Sequence, residues 1–266
     1  MSEILKLHID DRGVATIALN RPKIHNAFNA GLVAALSRAF DKVDSDNARV
    51  VILTGEGHSF SAGADLNWMR SMADGSEDEN RADARQLAAM LRKLNNLPCP
   101  TIARVNGHAF GGGVGLIACC DMSVALESAL FGLTEVRLGL APATISPFVV
   151  ARIGVGHARH YMLTGQRINA EKAVEIGLVN HTVPAGQLDS HVEELVSHFL
   201  AGGPQAQAAT KALIHQLVEG RLNARQTDTQ TSDVIAALRV SPEGQEGLGA
   251  FLEKRPPAWM PTDSEE

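Results

Sequence analysis

Asn106-Gly107-His108-Ala109-Phe110-Gly111-Gly112-Gly113-Val114-Gly115 lies between two apolar runs. Thr101–Val105, before it, is short and rich in β-branched residues, which predicts a strand. Residues 114–120 are apolar and predict the start of a buried helix. Glycines at such a junction let a ligand approach main-chain N–H groups, and the N-terminus of a helix favours negative charge. The stretch therefore indicates either a site for a developing anion or a tight, closely packed turn.

The composition is that of a globular protein. The chain has 266 residues, of which 45% are hydrophobic and 20% charged, so one or two domains with a large core are expected. The net charge of -6 argues against a nucleic-acid surface. We find no apolar run of membrane-spanning length and no signal peptide, so we expect a cytoplasmic protein without a membrane partner. The three cysteines form no metal or redox motif.

Hydrophobic periodicity predicts strands and helices that alternate along the first part of the chain. Predicted strands form a pair within residues 4–20 and follow at 50–53, Thr101–Val105, Met122–Leu126 and 129–133. Asn29 is expected to cap a helix, and another is expected over 87–97. Residues 71–84 have no apolar period and predict a mobile surface segment. The pattern supports an α/β core.

Helical periods dominate the second half of the sequence. They occupy 149–153, 158–163, 170–176 and 188–200, and then 205–219, 223–238 and 242–253. The Gly-Gly-Pro sequence at 202–204 indicates a boundary, so we divide the chain into a core, 1–200, and a C-terminal helical region, 201–266. The tail, 256–266, is Pro-rich and acidic and predicts poor order.

A second loop of small residues resembles the glycine stretch in its setting. Residues 61–65 follow an apolar strand, as the glycines do. Strands of one sheet end at a common edge, so the two loops are expected to face each other. One backbone N–H from each would then form an oxyanion hole, a device in which losing one donor lowers rates by about 10²–10³. The alternative is two small-residue turns packed together.

Glu135 is the best candidate for proton transfer. It stands among apolar residues after a predicted strand, where desolvation raises a carboxyl pKa and suits it to acid–base work. The alternatives are a salt bridge with Arg137 or a side chain that faces solvent. His108 is expected to be a packed or hydrogen-bonded histidine. The sequence offers no metal-ligand spacing, no GxSxG elbow and no dinucleotide fingerprint.

Together these segments resemble the crotonase (enoyl-CoA hydratase/isomerase) superfamily nearly end to end. The most specific matches are Phe-Ser-Ala-Gly-Ala-Asp-Leu at 60–66 and Asn-Gly-x-Ala-x-Gly-Gly-Gly at 106–113, with the spacing to Glu135. The resemblance implies an α/β spiral of ββα units with C-terminal helices that build homotrimers, often paired into hexamers. It also implies a coenzyme A thioester as substrate, with no separate cofactor and no metal.

The resemblance assigns roles to residues at matching positions. The backbone N–H groups of Ala64 and Gly112 would form the oxyanion hole. The positions expected to line the pantetheine and adenine site are Lys23, His25, Ala27, Ala62, Asp65 and Leu66. Phe251 and Lys254 match positions that touch CoA, often from a neighbouring subunit, and a phosphate group favours a cation such as Lys254.

One departure concerns the catalytic carboxylates. Hydratases with two glutamates carry the first where this chain has Gly115, so only Glu135 remains. Single-glutamate members include Δ3,Δ2-enoyl-CoA isomerases. However, residues 133–147 look like bacterial 3-methylglutaconyl-CoA and isohexenylglutaconyl-CoA hydratases, which also place Gly at this position. We therefore expect a hydratase, with an isomerase as the alternative and Gly115 opening space for a bulkier or carboxylated acyl chain.

Rival functions remain open from the sequence. A hydrolase of the thioester, or an acyl-CoA-binding or scaffolding protein without activity, would share the same CoA site. They differ in outcome, because a hydrolase releases free CoA thiol and a binding protein changes no enoyl thioester.

Overall fold

Two β-sheets form the frame of the fold. The structure, a computed structural model, describes residues 4–220 and 223–260. The larger sheet has six strands in the order β1-β2-β3-β5-β7-β10, and the smaller has four in the order β4-β6-β8-β9. Among the strand pairs of the described residues, only β1–β2 and β8–β9 are antiparallel. The α/β class expected from the sequence is confirmed.

The strands are short, and most connections between them contain helices. The strands are β1 Leu5–Ile9, β2 Val14–Leu19, β3 Val50–Gly55, β4 Ser59–Ser61, β5 Thr101–Val105, β6 His108–Phe110, β7 Met122–Leu126, β8 Leu130–Gly132, β9 Ile168–Asn169 and β10 His181–Val183. The helices are α1 Ala30–Ser45, α2 Leu66–Ala73, α3 Glu77–Asn95, α4 Gly112–Cys119, α5 Ser146–Thr164, α6 Ala170–Glu175, α7 Leu188–Ala201, α8 Pro204–Glu219, α9 Ala224–Val240 and α10 Pro242–Glu253. None of the described helices is long and apolar enough to cross a membrane.

A ββα unit repeats along the core. In each repeat the first strand joins the larger sheet and the second joins the smaller: β3 with β4, β5 with β6, and β7 with β8. Helices α2 and α3, then α4, then α5 follow these pairs. Because the second strands align in parallel, the loops that leave them come out at one edge of the smaller sheet. This edge carries the candidate site.

Both faces of the larger sheet are covered. On one face Val50, Ile102 and Val124 pack against α7 through Val192 and Val196. The opposite face packs against α1, α3, α4 and α5 in the main core. Asn29 caps α1 as expected, since its side chain accepts a hydrogen bond from Leu32 N at 2.9 Å. Burial of apolar side chains on both faces fixes the sheet as the centre of the molecule.

Residues 71–84 lie at the surface, as expected, but most of them belong to helices α2 and α3. Helix α3 begins at Glu77, ten residues before the expected start. Ser76 caps it, and Glu79 completes a capping box. The first turns face solvent and carry ion pairs from Arg81 to Glu77 and Asp78, so they have no apolar period. Capping and i,i+4 pairs, rather than burial, extend this helix.

Other differences concern short or irregular segments. The three-residue strands β4 and β6 were expected to be loops, because they are too short to show a period. The two helical segments expected over 149–163 form one helix, α5, with a kink at Gly154. Residues 256–260 were expected to be poorly ordered but pack on the end of α7, where Trp259 Nε1 donates to Ala201 O. The rest of that tail, 261–266, lies outside the described residues.

Candidate active site

The smaller sheet brings the two small-residue loops side by side. β4 pairs in parallel with β6, with Ser61 opposite Ala109, so both loops leave the same edge. Gly63 has φ +86°, and a Cβ there would lie 3.0 Å from Phe110 O. Only glycine allows this approach. The expected meeting of the two loops is confirmed.

Each loop presents one free main-chain N–H. Phe28 N donates to Gly63 O at 2.6 Å and Asp65 N donates to Phe28 O at 2.8 Å, so the Ala64 N–H between them points away from Phe28. Gly112 is the first residue of α4 and has no intrahelical acceptor. Neither N–H has an acceptor within residues 4–220 and 223–260. The two can therefore donate to an oxyanion.

Close packing accounts for the glycines after Gly111. A Cβ on Gly112 would lie 2.2 Å from Cε2 of Phe28, and one on Gly113 would lie 2.8 Å from Ser61 O. The N-terminus of α4 thus rests directly on the Phe28 ring. The glycine run is a tightly packed turn as well as a source of a free N–H, so the two alternatives drawn from the sequence are compatible.

Glu135 stands beside this pair of loops. It opens a 3₁₀ turn, Glu135–Leu138, just after β8, which pairs with β6. A Cβ on Gly111 would lie 3.0 Å from Glu135 Oε1 and 3.8 Å from Gly63 Cα. Gly111 also has φ +50°, which disfavours other residues. The carboxylate therefore lies over Gly111, beside the two loops that carry the free N–H groups.

The surroundings of Glu135 suit proton transfer. Its side chain is half-buried, and burial raises its pKa, against a smaller opposing effect of a backbone hydrogen bond. Glu135 Oε2 is buried and has no hydrogen-bond partner among the described residues. The alternative ion pair is not formed there either, because the Arg137 side chain packs along Gly165, with Nε 3.0 Å from a Cβ position on that glycine. An unpartnered oxygen of this kind is free to accept a proton.

A family comparison agrees with this geometry. The family described as enoyl-CoA hydratase/isomerase matches residues 10–262. The chain belongs to the enoyl-CoA hydratase/isomerase family. Members of this family are enzymes, and the match is consistent with a CoA thioester as the substrate.

Individual members of the enoyl-CoA hydratase/isomerase family are similar along nearly the whole chain. The structure of an enoyl-CoA hydratase from Shewanella pealeana is 41% identical, with a TM-score of 0.92 and 96% of each chain covered. The structure of Pseudomonas aeruginosa AtuE is 34% identical, with a TM-score of 0.93, 97% of this chain and 100% of that chain covered. The crotonyl-CoA hydratase of Syntrophomonas wolfei is 32% identical over 249 residues, which cover 91% of this chain and 92% of the relative.

The predicted CoA-binding residues around the oxyanion loop have mixed surroundings. Lys23, His25, Ala62 and Leu66 are exposed, while Ala27 is buried. His25 Nδ1 lies 3.0 Å from Ser59 Oγ, which fixes the ring beside β4. Their contact with CoA stays a prediction.

Asp65 has a structural role in addition to its predicted one. Its carboxylate caps α2 by accepting from Asn67 N at 2.8 Å. It also pairs with Arg21 at 2.9 Å, in a contact that leaves both side chains at most 15% exposed. Arg21 in turn donates to Ala27 O. This cluster holds the loop that presents the Ala64 N–H.

The two predicted residues from the C-terminal part lie at the C-terminal end of α10. Phe251 is 81% exposed, and Lys254 ends the helix in a left-handed conformation with φ +57°. An exposed aromatic side chain of this size is available to a ligand or to another subunit. Their contact with CoA also stays a prediction.

The expectation that Gly115 opens space was wrong. A Cβ there would lie 2.3 Å from Ile145 Cγ2 and 3.7 Å from Leu91 Cδ2. Ile145, which is 2% exposed, fills the place where a side chain at this position would stand. Sequence reasoning missed Ile145, because nothing in the chain links residues 30 positions apart except their packing. His108 behaves as expected, since its Nδ1 accepts from Leu130 N at 3.1 Å.

Proposed function

We propose that this enzyme is an enoyl-CoA hydratase that adds water across the C2=C3 bond of a 2-enoyl-CoA thioester. The acyl chain is branched or carboxylated, as in 3-methylglutaconyl-CoA. The observation that carries the proposal is the half-buried carboxylate of Glu135, whose Oε2 has no hydrogen-bond partner among the described residues, beside the loops that carry the free N–H groups of Ala64 and Gly112. The likeness of residues 133–147 to 3-methylglutaconyl-CoA hydratases supports the acyl class. No cofactor other than the CoA of the substrate is needed.

The chemistry requires one carboxylate and one oxyanion hole. The thioester oxygen accepts hydrogen bonds from the two N–H groups, which makes C3 electrophilic. Glu135 takes a proton from water while the water oxygen bonds to C3 and the π electrons move towards C2 and the carbonyl. Protonated Glu135 then returns the proton to C2 of the enolate. The raised pKa of Glu135 brings the acid and base forms closer in energy and assists both steps.

The Glu135→Gln variant tests the assignment. Glutamine keeps the size of the side chain but neither takes nor returns a proton, so binding of acyl-CoA should persist while hydration falls by about 10²–10⁴. Glu127→Gln is the matched control, because Glu127 is an exposed carboxyl group in the turn after β7. Loss of the ultraviolet absorbance of the conjugated thioester measures the rate. Near-normal hydration by Glu135→Gln would show that another group is the base.

A Δ3,Δ2-enoyl-CoA isomerase is the second candidate, and the Ile145 contact favours it. With Ile145 over Gly115, hydrocarbon replaces the carboxylate that helps to hold water in two-glutamate enzymes. Glu135 alone is enough to move a proton between C2 and C4. The assay separates the two functions, since isomerisation of a 3-enoyl thioester creates the absorbance that hydration removes. Release of free CoA thiol would indicate a hydrolase, and binding without any change would indicate a protein without activity.

We also propose that the enzyme assembles as a homotrimer or a dimer of trimers through its C-terminal helices. The support is a set of exposed apolar side chains on α8, α9 and α10: Val218, Val240, Leu248, Phe251 and Leu252. Apolar surface of this kind on a soluble chain marks an interface. Light scattering after size-exclusion chromatography measures the mass directly, and a monomer would contradict the proposal.

A further inference from the structure

Phe28 is a buried residue that contacts both loops of the candidate site. It directly precedes Asn29, the cap of α1, and its side chain belongs to the main core, with 1% of the residue exposed. Its main chain contacts one loop and its ring contacts the other. A phenyl ring has no group that takes or gives a proton, so any contribution of Phe28 to the reaction is one of position.

The main chain of Phe28 pairs with the loop that carries Ala64. Phe28 N donates to Gly63 O at 2.6 Å, and Phe28 O accepts from Asp65 N at 2.8 Å. The two bonds make a parallel bridge between Phe28 and Ala64. Because they hold the residues on both sides of Ala64, they fix the direction in which the Ala64 N–H points.

The ring of Phe28 supports the other loop. A Cβ on Gly112 would lie 2.2 Å from Cε2 and 2.5 Å from Cδ2 of this ring. Since glycine has no side chain, the ring edge rests on the main chain of Gly112 itself, at the residue where α4 begins. Interiors are packed densely enough that a shift of the ring would shift this main chain as well.

We propose that Phe28 is a positioning residue that sets the spacing of the two N–H donors of the oxyanion hole. Its backbone fixes Ala64, and its ring fixes Gly112. Donors have to lie about 2.7–3.1 Å from the oxyanion, and a displacement of about 1 Å can cost about 10²-fold in rate. The inference rests on the proposed function of this site and adds the residue that holds the two donors in place.

The Phe28→Leu variant tests the ring while keeping the main-chain pairing with Ala64. Leucine is apolar but lacks Cε2 and Cζ, so Gly112 loses its support. We expect kcat for an enoyl thioester to fall about 10- to 100-fold, whereas KM changes less than about threefold, because the oxyanion develops fully only in the transition state. Phe40→Leu is the matched control, since Phe40 lies on α1 and is also 1% exposed. It should lower the free energy of unfolding to a similar extent and keep kcat within about threefold.

A substitution at Gly112 tests the same contact from the other side. Gly112→Ala places a Cβ against the ring and should lower kcat about 10- to 100-fold. Phe28→Leu removes Cε2, the atom that this Cβ would meet first. The loss of kcat in the double variant should therefore be at least about tenfold smaller than the product of the two single losses. Phe40→Leu combined with Gly112→Ala should give no such recovery.

Binding of an oxyanion tests the two donors without turnover. Acetoacetyl-CoA forms an enolate that shares its negative charge with the thioester oxygen, whereas butyryl-CoA forms no stable enolate. Calorimetry should show that the wild type binds acetoacetyl-CoA more tightly than butyryl-CoA. Phe28→Leu should lower this preference at least about tenfold, while the affinity for butyryl-CoA changes less than about threefold.

The outcomes separate this inference from the proposed reaction. Equal weakening of both thioesters by Phe28→Leu, or an equal loss of kcat in Phe40→Leu, would show that Phe28 only supports the fold and would overturn the inference. Multiplicative losses in the double variant would also overturn it. If the wild type hydrates no enoyl thioester, the hydratase proposal fails, but a preference for acetoacetyl-CoA that depends on Phe28 would still support the inference. A wild type without that preference would overturn the inference together with the oxyanion hole.

Discussion

Substitution of Gly115 by alanine tests how closely Ile145 packs against α4, through its effect on the stability of the protein. The new Cβ would lie 2.3 Å from Ile145 Cγ2, where ordinary contacts are 3.4–4 Å, so Ile145 has to retreat by about 1 Å. Overpacking of a buried site costs about 1–3 kcal/mol. The better helix propensity of alanine offsets about 1 kcal/mol of this. We expect a net destabilisation of up to about 2 kcal/mol.

Two substitutions at Ile145 show whether this side chain is the cause. Ile145→Ala removes Cγ2 and leaves Cβ, at 3.0 Å, as the nearest atom. The double variant, Gly115→Ala with Ile145→Ala, should lose at least about 1 kcal/mol less unfolding free energy than the sum of the losses in the two single variants. Ile145→Val keeps Cγ2 and should give little relief, which makes it the matched control.

Equilibrium unfolding in urea, followed by circular dichroism, gives these free energies. All variants are compared at one protein concentration, because assembly would add to the apparent stability. If the losses of unfolding free energy in Gly115→Ala and Ile145→Ala add up to that of the double variant within about 0.5 kcal/mol, Ile145 does not fill the position of a side chain at 115, and the reasoning is refuted.

Three further predictions concern the site and its supports. Burial raises the pKa of Glu135 above its usual value, so the folded state binds the proton more tightly than the unfolded state, and the free energy of unfolding falls as pH rises through that pKa. Glu135→Gln should therefore raise Tm at pH 7, and this increase in Tm should vanish below about pH 4. Calorimetry at a series of pH values measures it. Asp65→Ala should lower the free energy of unfolding by about 1–3 kcal/mol and raise KM. Asp65→Asn keeps the helix cap and should lower the free energy of unfolding by less. Equal losses for the two variants would show that the cap contributes no stability. Ser76→Ala should lower the free energy of unfolding in urea by about 1 kcal/mol, because it removes the cap of α3. An unchanged free energy would contradict the start of α3 at Glu77.

Local signals were enough where a segment is either periodic or built from special residues. The strands β5 and β7, the cap of α1 by Asn29 and the C-terminal helices were predictable for this reason. The early start of α3 had a sequence signal, the Ser76–Glu79 capping box, which the search for apolar periodicity passed over. β4 and β6 had none, because three residues are too few to show alternation.

The class of fold, the two small-residue loops and the candidate Glu135 could be predicted from the order of residues, because turn residues, periodicity and motif spacing are properties of neighbours along the chain. The closing of the space over Gly115 by Ile145, and the position of Trp68 beside Asp83, depend on contacts that exist only in the folded chain. These pairs are separated by 15 or more residues and meet through the packing of helices on the sheets. Packing of that kind depends on the shape of the whole core, which no local pattern contains.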